Sequence, residues 1–164
     1  MRSILKNRVD EFLKILEHDK GEWFSFWKRY KRRLGKLLDE YEKLHGLSDD
    51  SVKDILESLE RRVLDRFRRF WEERKRILKE KTAYELRMRS KELDLSKADF
   101  VVFLIGALSI SDWTIVDGER EKVILVDVLK LWRDSRIDDL PNVVLDAVED
   151  FRSENVLGED SKNE

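Results

Sequence analysis

Cysteine is absent from these 164 residues, which removes disulfides, thiolate metal sites and cysteine nucleophiles from consideration. Proline occurs once and glycine six times, against abundant Glu, Lys, Arg and Leu. That balance predicts long helices rather than a turn-rich β fold. Glutamine is missing altogether, and Asn and Thr are scarce. With dense charge pairing, this resembles hyperthermophile composition, rich in ion-pair networks and poor in thermolabile residues. Long apolar runs are lacking too. The richest, 101–110, is about half of what a bilayer crossing needs, and charged residues interrupt every apolar run near the start, unlike a signal peptide. A soluble, cytoplasmic protein without a membrane partner is expected.

What the chain does have is charge and apolar residues in nearly equal measure, 43% and 41%. At this length the apolar share suffices for a real core and excludes wholesale disorder. The charge is unevenly spread. Residues 1–95 carry 26 Lys and Arg against 20 Asp and Glu, whereas 96–164 carry 8 against 16. Such a split marks either a contact surface for something anionic or two halves that attract each other.

Hydrophobic spacing predicts helices throughout. Ile4, Leu5, Val9, Phe12, Leu13 and Leu16 make a first helix, ended near Gly21. Trp23, Trp27, Tyr30, Leu34, Leu37, Tyr41 and Leu44 step by fours and threes, the 3.5-residue period of a helix packed along another helix. After Gly46, a capping box at Ser51 and Asp54 opens a third helix with the stripe Val52, Leu56, Leu59, Val63, Phe67 and Phe70. Nothing breaks it before about Leu93. Glu57–Arg61, Asp65–Arg69 and Glu72–Arg76 have the spacing of intrahelical ion pairs.

A second capping box, Ser96 with Asp99, and a staple of Leu95 with Phe100 precede the run 101–108. Its β-branched residues favour a strand, and the cap favours a helix, which is the reading adopted. Residues 123–132 read as a core helix, and Asp139 caps a last helix from Leu140. The expected fold is all-α. A basic long-helix region (1–95), built as a hairpin or three-helix assembly with an aromatic seam, precedes a compact acidic helical unit (96–152) and a disordered tail (153–164).

Three constellations could carry function. The first is an apolar helix face of Trp23, Trp27, Tyr30, Phe67, Phe70 and Trp71, which would join the chain to a protein partner or to its own copy. The second is basic. Lys28, Arg29, Lys31, Arg32 and Arg33 interleave with aromatics in one segment, and Arg61, Arg62, Arg66, Arg68 and Arg69 run on to Arg74, Lys75 and Arg76 in another. Cations neutralise phosphates and aromatics stack on exposed bases, a mixture suited to single-stranded nucleic acid. Solvated helix flanks over a packed stripe would show the same pattern.

The third is the acidic segment 112–121. Its carboxylates are oxygen ligands suited to Ca²⁺ or Mg²⁺, although Leu108 and Ile110 stand where an EF-hand loop would begin its ligands. Apolar helix, Asp112-x-x-Ile115-x-x-x-Glu119, then a second apolar helix resembles the all-helical TerB-like domain associated with tellurite resistance, over about residues 98–151. The resemblance implies cation binding by Asp112 and Glu119. Trp113 stands where that family has a glycine, and no second acidic loop is present. Helix capping by Asp117 and Glu119 is the plainer role.

A catalytic set is not found. His18 and His45 lie far apart without a nucleophile at informative spacing, and no phosphate loop, Gly-x-Ser-x-Gly or His-Glu-x-x-His occurs. A non-enzymatic helical interaction module comes first, a nucleic-acid binder second and a cation-binding module third.

Overall fold

The computed structural model describes residues 4–97 and 99–162, including all side chains except those of 97 and 155–162. Its centre is a four-stranded mixed sheet, which overturns the all-α expectation. Strand β1 (Leu5–Asn7) is followed by α1 (Val9–Leu13), α2 (Trp23–Arg33), α3 (Leu37–Leu44), α4 (Asp49–Ser58) and the long α5 (Arg61–Met88). Then come β2 (Phe100–Ile105), β3 (Trp113–Asp117), β4 (Lys122–Asp127), α6 (Val128–Arg133) and α7 (Leu140–Lys162). The sheet order is β1-β2-β4-β3, with β1, β2 and β4 parallel and β3 antiparallel at one edge.

The helical readings of 101–108 and of 123–127 fail for one reason, while 128–132 lies in helix α6 as expected. All six residues of β2 are buried, as are five of six in β4. A parallel strand covered on both faces reads as an unbroken apolar run, and in six residues no period can show. Ser96 therefore caps no helix. Residues 95–97 form a single 3₁₀ turn, and Leu95 and Phe100 are both buried.

The first expected helix divides as well, into β1 and α1, where Leu5 pairs with Val102. The 3.5-residue seam from Trp23 is broken at Gly35, whose φ of 69° is left-handed, and α3 starts anew at Leu37. The third helix stops at Leu59 and restarts as α5. Its cap is Ser48, which accepts the Ser51 N–H at 3.1 Å, not Ser51. The final helix begins at Leu140 as expected and continues through Lys162, where disorder is expected. Residues 163–164 lie outside those described.

Strand alternation sorts the sheet into two faces. Phe100, Val102, Leu104, Ile124 and Val126 point to the side of α7, where the Phe100 and Phe151 rings lie 4.9 Å apart and Trp113 Nε1 donates to Asp150 at 3.1 Å. α7 packs in turn on α5. Val101, Phe103, Val123 and Leu125 point to the side of α2 and α3. Here Tyr30 Oη donates to the Gly106 carbonyl at 3.0 Å, and the Glu40 carboxylate accepts the Asp117 N–H at 2.9 Å. The result is three layers, with helices on both sides of the sheet. No helix among the described residues is long and apolar enough to cross a membrane.

Gly106 follows β2 where Phe12 crosses it so closely that a Cβ would lie 2.3 Å from Phe12 Cδ1 and 2.8 Å from its Cγ. Gly106→Ala is therefore expected to destabilise by about 1–3 kcal/mol, the usual cost of overpacking. Urea unfolding measures it, and an unchanged midpoint would refute that close approach.

Candidate nucleic-acid interface

The last three turns of α2 are governed by two needs. One face must bury Trp23, Phe26, Trp27 and Tyr30, none more than 5% exposed, so the cations are forced outward. Cations near a helix C-terminus also oppose the negative end of its dipole. Phe24, Lys28 and Arg32 follow at every fourth position along one outer stripe of α2, with Arg29 and Arg33 beside it and Lys36 just past the Gly35 turn at the start of α3. Phe24 is half-buried, and the Lys28 and Lys53 ammonium groups each sit 4.8 Å from its ring centre.

Ion pairing separates these cations from the second basic segment. Arg29, Arg32, Arg33 and Lys36 are all exposed, and among the described residues none has a carboxylate within salt-bridge distance. Lys28 reaches Asp49 only at 4.0 Å. Lys31 is committed inward, 2.5 Å from the buried Glu42 and 3.2 Å from Asp39. Glu42 also accepts Trp27 Nε1 at 3.2 Å.

On α5, by contrast, Arg62 pairs with Glu60 at 2.6 Å, Arg68 with Asp65 at 3.1 Å, Arg76 with Glu80 at 3.1 Å and Arg74 with Asp138 at 3.7 Å. Lys75 pairs with Asp10 at 3.3 Å. Arg61 donates to the Leu16 carbonyl at 2.8 Å and to that of His18, and its guanidinium lies over the Trp23 ring. Only Arg66 and Arg69 of that segment stay uncommitted among the described residues. These pairs differ from the expected Asp65–Arg69 and Glu72–Arg76, because rotamer and neighbouring helices choose among partners of similar spacing.

Three hollows adjoin the free cations. The largest, about 590 Å³, lies between the α2–α3 turn and the β3–β4 hairpin, over a floor of Val101, Phe103 and Val123. Arg33 and Lys36 stand on one wall, and Asp117, Glu119 and Arg120 on the other. A second of about 380 Å³ holds Arg29 and Arg33 with Lys14, Glu11 and Glu17, and a third of about 540 Å³ holds Lys28, Arg32 and Lys36 with Asp39 and Asp49. Lys36, Arg8, Arg120 and Phe103 are thus site residues that sequence reading missed. Lys36 was legible as a cation three residues past the basic run that ends at Arg33. The others carry no local signal.

The aromatic face expected to bind a partner is inside the protein. Trp23, Trp27, Tyr30, Phe67 and Trp71 are at most 1% exposed, and Phe70 is half-buried. Their seam meets the protein's own sheet and helices, not another chain.

Asp112 and Glu119, expected to share a cation, lie beyond opposite ends of β3, which spans roughly 17 Å at 3.3 Å per residue. Asp112 is already saturated, with Arg136 at 2.9 and 2.5 Å and Lys130 at 3.1 Å. The Arg136 guanidinium, helped by Lys130, holds its carboxyl below the usual range. Strands, not helices, flank the acidic segment, unlike the surroundings that the TerB-like resemblance implies. No group of three or more His, Asp or Glu among the described residues is arranged to hold a metal.

A second polar cluster sits at the carboxyl ends of β2 and β4. Asp127, 2% exposed, caps α6 by accepting the Lys130 N–H at 3.2 Å and also accepts those of Ala107 at 3.3 Å and Ser109 at 2.8 Å. Ser109 has a φ of 60°. Burial raises the Asp127 carboxyl to about 6. Burial, then the Asp127 charge, raises the Tyr30 and Tyr41 phenols. His45 Nε2 lies 2.9 Å from Thr114 Oγ1, with its pKa lowered by burial. These contacts tie a loop, a helix start and two strands together, so the cluster is structural.

Comparison with known proteins supplies no relative: no family model, no curated protein and no solved structure matches the chain.

Because the folded Asp127 holds its proton to a higher pH than the unfolded chain does, it favours the fold most below pH ~4, and that contribution is lost as pH rises through about 6. The loss should reach about 3 kcal/mol at 1.36 kcal/mol per pKa unit. His45, lowered, acts in the opposite direction below pH ~6.5. The stability difference between wild type and Asp127→Asn isolates the carboxyl: it should shift against wild type by about that amount between pH 4 and 7. A flat difference would show an ordinary carboxyl.

Proposed function

We propose that this protein binds single-stranded nucleic acid along the outer side of α2, through Lys28, Arg29, Arg32, Arg33 and Lys36, with Phe24 as a stacking surface. The observation that carries the reading is the contrast in pairing. Most cations of the α5 segment are occupied by the protein's own carboxylates and carbonyls, whereas four around the end of α2 are exposed and, among the described residues, unpaired, and open onto adjoining hollows. Like charges gathered without close ion pairs repel one another. An anionic chain that neutralises them regains that energy and releases its own condensed ions. A half-buried aromatic in the same stripe favours unpaired bases, whose faces are free to stack.

Five neutralised phosphates give a slope of log K against log salt of about −3.5 for a single strand, so affinity for an oligouridine should fall about 100-fold between 50 and 200 mM salt. Arg29→Glu, Arg32→Glu and Arg33→Glu combined should abolish binding while leaving the circular dichroism spectrum unchanged, since all three side chains are exposed. Fluorescence anisotropy at 50 mM salt decides it. Binding that survives the triple substitution would place the interface elsewhere.

Association with a protein partner keeps one supporting observation. Phe70, Ile77, Tyr84 and Met88 form a second stripe on α5, and the last three are 43%, 52% and 65% exposed. Steps of seven, seven and four residues are those of a helix-packing seam. Light scattering at micromolar concentration should show a dimer that Tyr84→Lys with Met88→Glu returns to monomer; a wild-type monomer would exclude self-association through this stripe.

A further inference from the structure

The 590 Å³ hollow beside the free cations has a composition that the α2 stripe does not use. Its floor is apolar: Val101, Phe103 and Val123 point into it from β2 and β4. Over Phe103 lies the Arg8 guanidinium, 5.2 Å from the ring centre. Glu11 neutralises Arg8 through contacts of 2.6 and 3.0 Å, so Arg8 offers a flat stacking plane more than a charge. One wall is cationic, with Arg33 and Lys36. On the other, Asp117 is occupied by Lys122, whereas the exposed Glu119 has no partner among the described residues.

The two walls carry opposite charge yet do not close on each other. Glu40 of α3 accepts the Asp117 N–H at 2.9 Å, and the Gly118 N–H meets the Glu121 carbonyl at 2.8 Å, so the hairpin is braced and the hollow preformed.

We infer that this hollow receives one base of the bound strand, and that Glu119 selects guanine there. The inference rests on the nucleic-acid reading above. Phosphates flanking the base meet Arg33 and Lys36, and the ring lies on the apolar floor beside Arg8. An ionised carboxylate only accepts hydrogen bonds. Guanine offers it two adjacent donors, N1–H and N2–H, matching its two oxygens. Uracil turns carbonyl oxygens toward it on either side of a single N3–H, and the carboxylate repels them.

The test is an anisotropy titration of wild type with three RNA octamers at equal salt: all uridine, one central guanosine, and one central inosine, which lacks the N2 amino group. Guanosine should tighten binding about tenfold over uridine, within the range for a bidentate contact, with inosine between them. Glu119→Ala should bring all three to one affinity, and Arg33→Ala should weaken all three alike. Equal wild-type affinities, or a guanosine preference that survives Glu119→Ala, would overturn the base assignment and leave the α2 interface standing. Failure to bind any octamer would overturn both.

Discussion

Everything else in this protein is arranged around β2 and β4 lying side by side in parallel. Phe100–Ile105 and Lys122–Asp127 are covered from both faces, so their backbone groups have no water to fall back on and pair in register along their whole length. That demand explains the placement of the rest. β1 and β3 close the two flanks, α2 and α3 cover one face, and α5 and α7 complete the other. Asp127, where β4 ends, holds the loop after β2 and starts α6 with one carboxylate. A buried carboxylate is costly to keep ionised, and three N–H donors offset that cost.

The same constraint creates the surface. Because α2 must bury four aromatics against the sheet and its neighbours, its cations have only the outside left to occupy. Ion pairing then divides two segments of like composition. α5 runs past Asp10, Asp138 and the carbonyls ahead of α2, and Lys75, Arg74 and Arg61 tie it to them, while Arg68 pairs with Asp65 within the helix. The far end of α2 borders a turn at Gly35 and an open hollow, where, among the described residues, no carboxylate is within salt-bridge distance of Arg29, Arg32, Arg33 or Lys36. Paired cations bind the protein to itself. Unpaired ones are available to a ligand.

Apolar periodicity was a reliable guide to burial and a poor guide to element type. The residues of the Trp23 seam and of the stripe from Val52 to Phe67 are buried or nearly so, apart from the exposed Leu44 and the half-buried Val63. α7 starts at Leu140, where Asp139 and Pro141 announce it. The strands were misread because Phe100–Ile105 is apolar at every position, and the capping pattern at Ser96 and Asp99 is one that a loop can also carry. Three-residue β1 is too short for any pattern to reveal. Breaks at Gly35 and Leu59 were missed because the apolar spacing runs straight through both, while the chain turns.

From the residues alone come the apolar spacing of the aromatics, the outward cations of α2, the absence of thiol chemistry and the helices with amphipathic faces, since each is a local property of spacing or composition. Tertiary structure decided the remainder. Whether an apolar run became strand or helix depended on being covered from two sides. Whether an arginine was free depended on carboxylates distant in sequence. Phe103, Arg8 and Glu119 meet around one hollow only because β1, β2 and the β3–β4 hairpin are brought together by pairing across nearly a hundred residues of chain, and no local spacing encodes that proximity.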